Sequence, residues 1–172
     1  MIISFFPGAT WIRCKDYDNN MNNQDNTAEQ VQKDPRIEKA ATWNEMSGQF
    51  YGSAEFHRIL FGGLLTEGTK AMGLTLDCFW LFDIIMSVQF EPKIRAEEFQ
   101  VWEIFTSLES STARVLCTDG NSEAKGEDRF NDTDHVLYVQ DIPYTDFPLT
   151  YCMLYAQRNE MDGMTIMLTS EY

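Results

Sequence analysis

Asp83, Asp146, His57 and His135 are the side chains of this sequence best suited to proton transfer. Asp83 stands inside the apolar run FWLFDIIMSVQ, residues 79–89, with Trp80, Leu81 and Phe82 before it and Ile84 and Ile85 after it. A buried carboxylate without a partner is costly, so the run predicts one. Ser87 one turn later, or His57 or Arg58 upstream, would supply it. Such a carboxylate serves as a general acid or base, as a metal ligand, or as a structural group that fixes how two helices meet; the structural role is the expectation. Asp83 or Asp146 with His57 or His135 would make a small enzyme only if the fold brings them to one cleft.

Other chemistries lack their motifs. With Asp119 and Asp141 added, these groups still show no His-x-x-x-His or Glu-x-x-His spacing for a metal. Cys117 and His135 would form a nucleophile–base pair only as neighbours across two strands. No G-x-S-x-G elbow is present, and no P-loop lysine follows Gly62-Gly63 or Gly68. The loop DGNSEAKGEDRFNDTD, 119–134, carries six acids and two bases but not the ligand order of an EF-hand. No cofactor is implied.

The stretch DIPYTDFPL, 141–149, is either a catalytic loop or a corner between strands. Pro143 and Pro148 each remove a ladder donor. Asp146 is expected to fold its carboxylate onto a nearby backbone amide. Tyr144, Phe147 and Leu149 are expected to turn their rings and methyls into the core. A corner needs all of these types, whereas catalysis needs a partner for Thr145 or Asp146 that the nearby sequence lacks. With Asp83, the residues Tyr144, Thr145, Asp146 and Phe147 are the candidate functional positions.

Those positions need a scaffold, and composition supplies one. The 172 residues are 44% hydrophobic, with 12 Phe, seven Tyr and four Trp, enough for one domain with a sizeable core. The net charge is -14, and residues 44–172 hold 21 acids and eight bases, a net of -13. Such a field repels nucleic acid phosphates and anionic membrane, and attracts a basic protein. Cys78, Cys117 and Cys152 sit in apolar runs without Cys-x-x-Cys spacing, as reduced structural thiols of a cytoplasmic protein do. The opening MIISFFPGATWIR lacks the basic start and cleavage site of a signal peptide, and no run is long enough to span a membrane.

Residues 1–43 read as a flexible polar segment, with a short helix at 35–41 capped by Asp34, and with translation starting at Met21. Residues 44–172 read as a single α+β domain. A helix is expected over 53–61, then a hairpin-like piece turning at Glu67-Gly68. A second helix over 75–89 is expected to be buried all round, capped by Thr75, with Asp77 in its first turn and Glu91-Pro92 ending it. Full burial of Trp80 would make Trp80→Ala cost about 3–5 kcal/mol. The period then falls to two. Strands are expected at 98–107, 113–120, 135–142, 151–157 and 164–170, joined as an antiparallel meander. On the first, Phe99, Val101 and Phe105 share one face, and Trp102 and Ile104 the other.

FWLFDIIMSVQ, EFQVWEI, DGN and VQDIPYTDFPL occur in this order over residues 79–149, within a resemblance that covers about residues 46–157. Together they resemble a family of small bacterial and phage-associated proteins known only as a domain of unknown function. The family pattern has Asp where this chain reads Thr66-Glu67-Gly68. The resemblance implies a bacterial or phage origin and a cytoplasmic setting, and no reaction.

The fold expected is therefore α+β, two helices packed on a mainly antiparallel sheet of about five strands. The function expected is that of a non-enzymatic acidic interaction protein with a basic protein partner, without direct nucleic acid or membrane binding. A DNA-mimic anti-defence inhibitor and the small enzyme are the alternatives.

Overall fold

A computed structural model of the chain describes residues 34–172; the start at Met21 and residues 1–33 lie outside the described residues. The first element is helix α1, Pro35–Ser47. The Asp34 carboxylate accepts from the Arg36 N–H at 2.9 Å, and Pro35 fills the first position, where no N–H is needed. The helix runs past residue 43 because Trp43 anchors it, buried and stacked on Phe50 with centroids 6.3 Å apart. The expected boundary at 43/44 thus falls inside α1.

The next segment corrects the expectation of a helix at 53–61. Phe56–Arg58 is a short strand, β1, followed by a tight turn at Leu60–Gly62 in which Phe61 adopts a left-handed φ of 56°. The Ser53 hydroxyl caps no helix of its own; it accepts from the Glu67 N–H at 3.0 Å. The presumed hairpin at 64–72 is strand β2, Leu64–Thr66, running into helix α2, Glu67–Leu76. A contact remote in sequence decides this. Thr66 caps the helix, and the Glu171 carboxylate accepts from the Gly68 N–H at 2.9 Å and the Leu168 N–H at 3.0 Å. A Cβ at Gly68 would stand 2.8 Å from that carboxylate, so the glycine makes room for it. Glu67 lies in the first turn, where any acid favours the helix dipole.

The long helix expected over 75–89 is broken. Asp77 takes a left-handed φ of 52° and ends α2, and α3 spans only Phe79–Ser87. Thr75 caps nothing, and Asp77 pairs with Lys39 at 2.7 Å. Nor is α3 buried all round: Leu81, Phe82, Ile85 and Met86 face inward, while Asp83 and Ser87 face solvent. Trp80 is half-buried, and the tryptophan in the middle of the core is Trp102, 1% exposed. A short helix α4, Pro92–Arg95, follows.

All five expected strands form: β3 Phe99–Ser107, β4 Thr112–Thr118, β5 Val136–Ile142, β6 Tyr151–Arg158 and β7 Met164–Leu168. With β1 and β2 they make one seven-stranded sheet in the order β1-β2-β7-β6-β3-β4-β5, so the α+β class holds, with seven strands and four helices among the described residues. It is not a simple meander. Strand β6 pairs with β3 rather than β5, and β2 runs parallel to β7. The spatial order β6-β3-β4-β5 is a Greek key. The chain between β5 and β6 must therefore cross three strand spacings, about 14 Å.

The Pro-bracketed stretch makes that crossing. It passes over the β3–β4 hairpin end, where the Thr145 N–H donates to the Ser111 carbonyl at 2.8 Å. The Thr145 hydroxyl accepts from the Phe147 N–H at 3.1 Å, the bond expected of Asp146. Phe147 plugs the core edge-on to Trp80, with centroids 6.2 Å apart. Tyr144 does not turn inward; it is 75% exposed.

Amides join α3 to the sheet. Gln100 is fully buried, exchanges two hydrogen bonds with Gln89 at 2.9 and 3.0 Å, and accepts from the Trp102 indole at 3.0 Å. Every polar atom that Trp102 and Gln100 bring into the core is thereby matched, which is the condition for burying them.

Candidate functional site

The groups proposed for acid–base chemistry do not meet. Asp83 is exposed, which removes the burial argument that singled it out. Asp146 is exposed, 3.8 Å from Lys39. His57 accepts from Lys70 at 3.3 Å, and His135 contacts Asp119 at 2.9 Å. Among the described residues no hydrogen bond or ion pair joins Asp83 or Asp146 to either histidine. Thr145 and Phe147 are buried parts of the crossing, and Tyr144 alone of that set presents its ring to solvent. Cys117 is buried, and burial pushes its thiol far up, away from the reactive thiolate. Among the described residues no group of three metal-ligating side chains stands together.

A different constellation lies on the other side of the sheet. Strand alternation sends Trp102, Ile104 and their neighbours Cys117, Val115 and Leu154 toward the helices. Phe99, Val101, Glu103 and Phe105 point the opposite way, beside Leu116 on β4 and Met153 and Tyr151 on β6. Glu103 is thus a carboxylate in the middle of an apolar face, and it is only 2% exposed. Its Oε1 accepts from the Tyr151 hydroxyl at 2.5 Å and pairs with the Arg129 guanidinium at 2.5 Å. Its Oε2 meets no hydrogen-bond partner among the described residues.

Aromatic rings flank this carboxylate on both sides. Phe105 touches Phe130 and Tyr151, each at 5.2 Å between centroids. Phe99, Tyr155 and Tyr172 form a second cluster at 5.1 to 5.5 Å. Arg129 and Phe130 come from the acidic loop 119–134, through its 3-10 turn Gly126–Asn131. The loop is braced by Ser122 donating to Asp132 at 2.5 Å and is tied at its base by Asp119 and His135.

The electrostatics follow from these contacts. Burial disfavours the charged Arg129, but its bond to Glu103 outweighs that and holds its pKa above the usual arginine range. Burial and the neighbouring Glu103 push Tyr151 up, so its hydroxyl stays a donor. The site therefore sets a carboxylate–guanidinium pair beside aromatic faces, groups that serve in cation recognition.

Alternation could have found Glu103: an acid two residues from both Val101 and Phe105 sits on their apolar face. The contributions of Arg129 and Tyr151 come from 26 and 48 positions away, and no spacing rule reaches them.

Fold and site define an α+β protein with one mixed sheet, helices on one face and, on the other, the Glu103–Arg129 pair among aromatic side chains. The chain belongs to DUF6876, a family of unknown function, whose model matches residues 42–172. No curated protein and no solved structure matches the chain.

Proposed function

We propose that this is a non-enzymatic interaction protein, of a bacterium or mobile element and working in the cytoplasm, that receives an arginine- or lysine-bearing segment of a basic protein on its Glu103 face. The observation that carries the reading is Glu103 itself: a buried carboxylate with one oxygen unmatched, between two aromatic clusters. A carboxylate with rings beside it recognises a guanidinium or ammonium by charge, hydrogen bonding and cation–π attraction together. The surrounding charge of -13 over residues 44–172 steers a cationic partner inward. Six arginines and lysines, Arg36, Lys39, Arg95, Arg114, Arg129 and Arg158, are already in ion pairs with nearby acids.

Calorimetric titration with a short arginine–glycine repeat peptide, against a glutamate–glycine control, tests this. The wild type binds the cationic peptide with an affinity that falls steeply with salt, and Glu103→Gln weakens it about tenfold, roughly 1.4 kcal/mol. Equal binding of both peptides, or an unaltered affinity in Glu103→Gln, refutes the reading.

A further inference from the structure

We propose that loop 119–134 is a gate over this site, held shut by the protein's own arginine, and that Arg129 occupies the place a partner's arginine takes. The inference rests on the interaction reading above and adds its regulation.

Arg129 grips Glu103 incompletely. One terminal nitrogen meets Oε1 at 2.5 Å, while Nε is committed to the Ala124 carbonyl of the same loop at 2.9 Å. With Nε on Ala124, Arg129 meets the carboxylate through a terminal nitrogen and reaches one oxygen, short of the two-oxygen fork that makes the strongest pair. Arg129 is thus held to the loop's own backbone by Nε while it engages Oε1, and Oε2 stays unmatched. An arginine on a partner can approach so as to use both oxygens.

Beside Arg129, the gate meets the sheet through Phe130. Its centre is a single 3-10 turn, Gly126–Asn131. Phe130 rests on Phe105 with centroids 5.2 Å apart, under the Arg114 guanidinium at 4.8 Å. Gly120 and Gly126 take φ of 81° and 58°, backbone that glycine adopts without strain. The loop carries six acids against two bases, so it lies over a buried carboxylate of its own sign with Arg129 as the bridging cation. A basic partner is attracted first to the loop's acids, then exchanges for Arg129 and frees the loop. Closure lowers apparent affinity by the fraction of time the gate is shut, so loosening it tightens binding.

The test is fluorescence-anisotropy binding of the labelled arginine–glycine peptide to wild type, Arg129→Gln, Ser122→Ala, Glu103→Gln and Glu103→Gln/Arg129→Gln. Arg129→Gln binds about tenfold tighter than wild type, and the double variant no tighter than Glu103→Gln. Ser122→Ala loosens the loop without changing its charge and tightens binding in the same direction; it decides the matter if Arg129→Gln fails to fold. Hydrogen exchange of 119–134 rises when the peptide binds wild type. If wild type binds through Glu103 but neither Arg129→Gln nor Ser122→Ala binds tighter, the gate is overturned and the interaction reading survives. If no variant binds the peptide, both fall together.

Discussion

Removing either partner of the Glu103–Arg129 pair should have unequal consequences, and the inequality can be worked from the geometry. The Glu103 side chain is 1% exposed and that of Arg129 24%. In Glu103→Met the buried charge disappears and methionine fills an apolar slot among Val101, Phe105, Leu116 and Met153. Arg129, on a loop and one-quarter exposed, turns to water while losing one ion pair, and the Tyr151 hydroxyl is near enough to the surface to do the same. Replacing a buried pair's charge by an apolar group is often neutral, so Glu103→Met should cost less than about 1 kcal/mol. In Arg129→Met the carboxylate stays sealed in with only the Tyr151 hydroxyl, and an orphaned buried charge costs about 3–5 kcal/mol. Urea unfolding followed by tryptophan fluorescence measures both. With a slope of about 2 kcal/mol per molar, a loss of about 3 kcal/mol lowers the midpoint by about 1.5 M, whereas Glu103→Met stays within about 0.5 M of wild type. The double variant should resemble Glu103→Met. If Glu103→Met proves as destabilised as Arg129→Met, the carboxylate is a net stabiliser and the reasoning that assigns it a binding role is wrong.

Gln100→Leu should cost about 1–3 kcal/mol by stranding the Trp102 indole N–H in the core; a melting temperature equal to wild type contradicts that. Trp102→Ala should cost about 3–5 kcal/mol and half-buried Trp80→Ala clearly less, so equal losses in chemical denaturation would reject the assignment of Trp102 as the central tryptophan. His135 is held above its ordinary pKa by its bond to Asp119. Its contribution to closing the loop is complete below about pH 6.5 and is lost as pH rises through the raised value. Burial raises the Asp119 pKa but the His135 and Asn121 bonds outweigh it, so the Asp119 contribution is lost only as pH falls through a value below the ordinary one. An NMR titration should show the His135 midpoint falling toward its ordinary value in Asp119→Asn; an unshifted His135 in wild type counts against the tie.

Local periodicity carried far in this chain. Alternation located β3 to β7 within a residue or two and divided β3 into the correct faces, because a strand's side chains report burial every second position. The Asp34–Pro35 cap and the corner character of 141–149 were also legible, since capping and proline chemistry act over a few residues. The failures share a cause. Apolar spacing over one or two turns fits a helix and a short strand equally, which is why 53–61 reads as a helix until its pairing with β2 is seen, and it does not show a break inside a helical run such as 75–89. What separates them is Glu171 capping α2 from the chain's far end, and the left-handed Asp77 that closes it.

Composition and pattern by themselves determine an α+β domain with a large apolar core and a strongly negative surface. Tertiary structure alone decides which strand β6 joins, that Asp83 faces water, and that Glu103 is the carboxylate taken out of it. The reason is that a carboxylate's environment is set by neighbours such as Arg129 and Tyr151, brought from other strands and loops by a Greek-key crossing that no local pattern encodes.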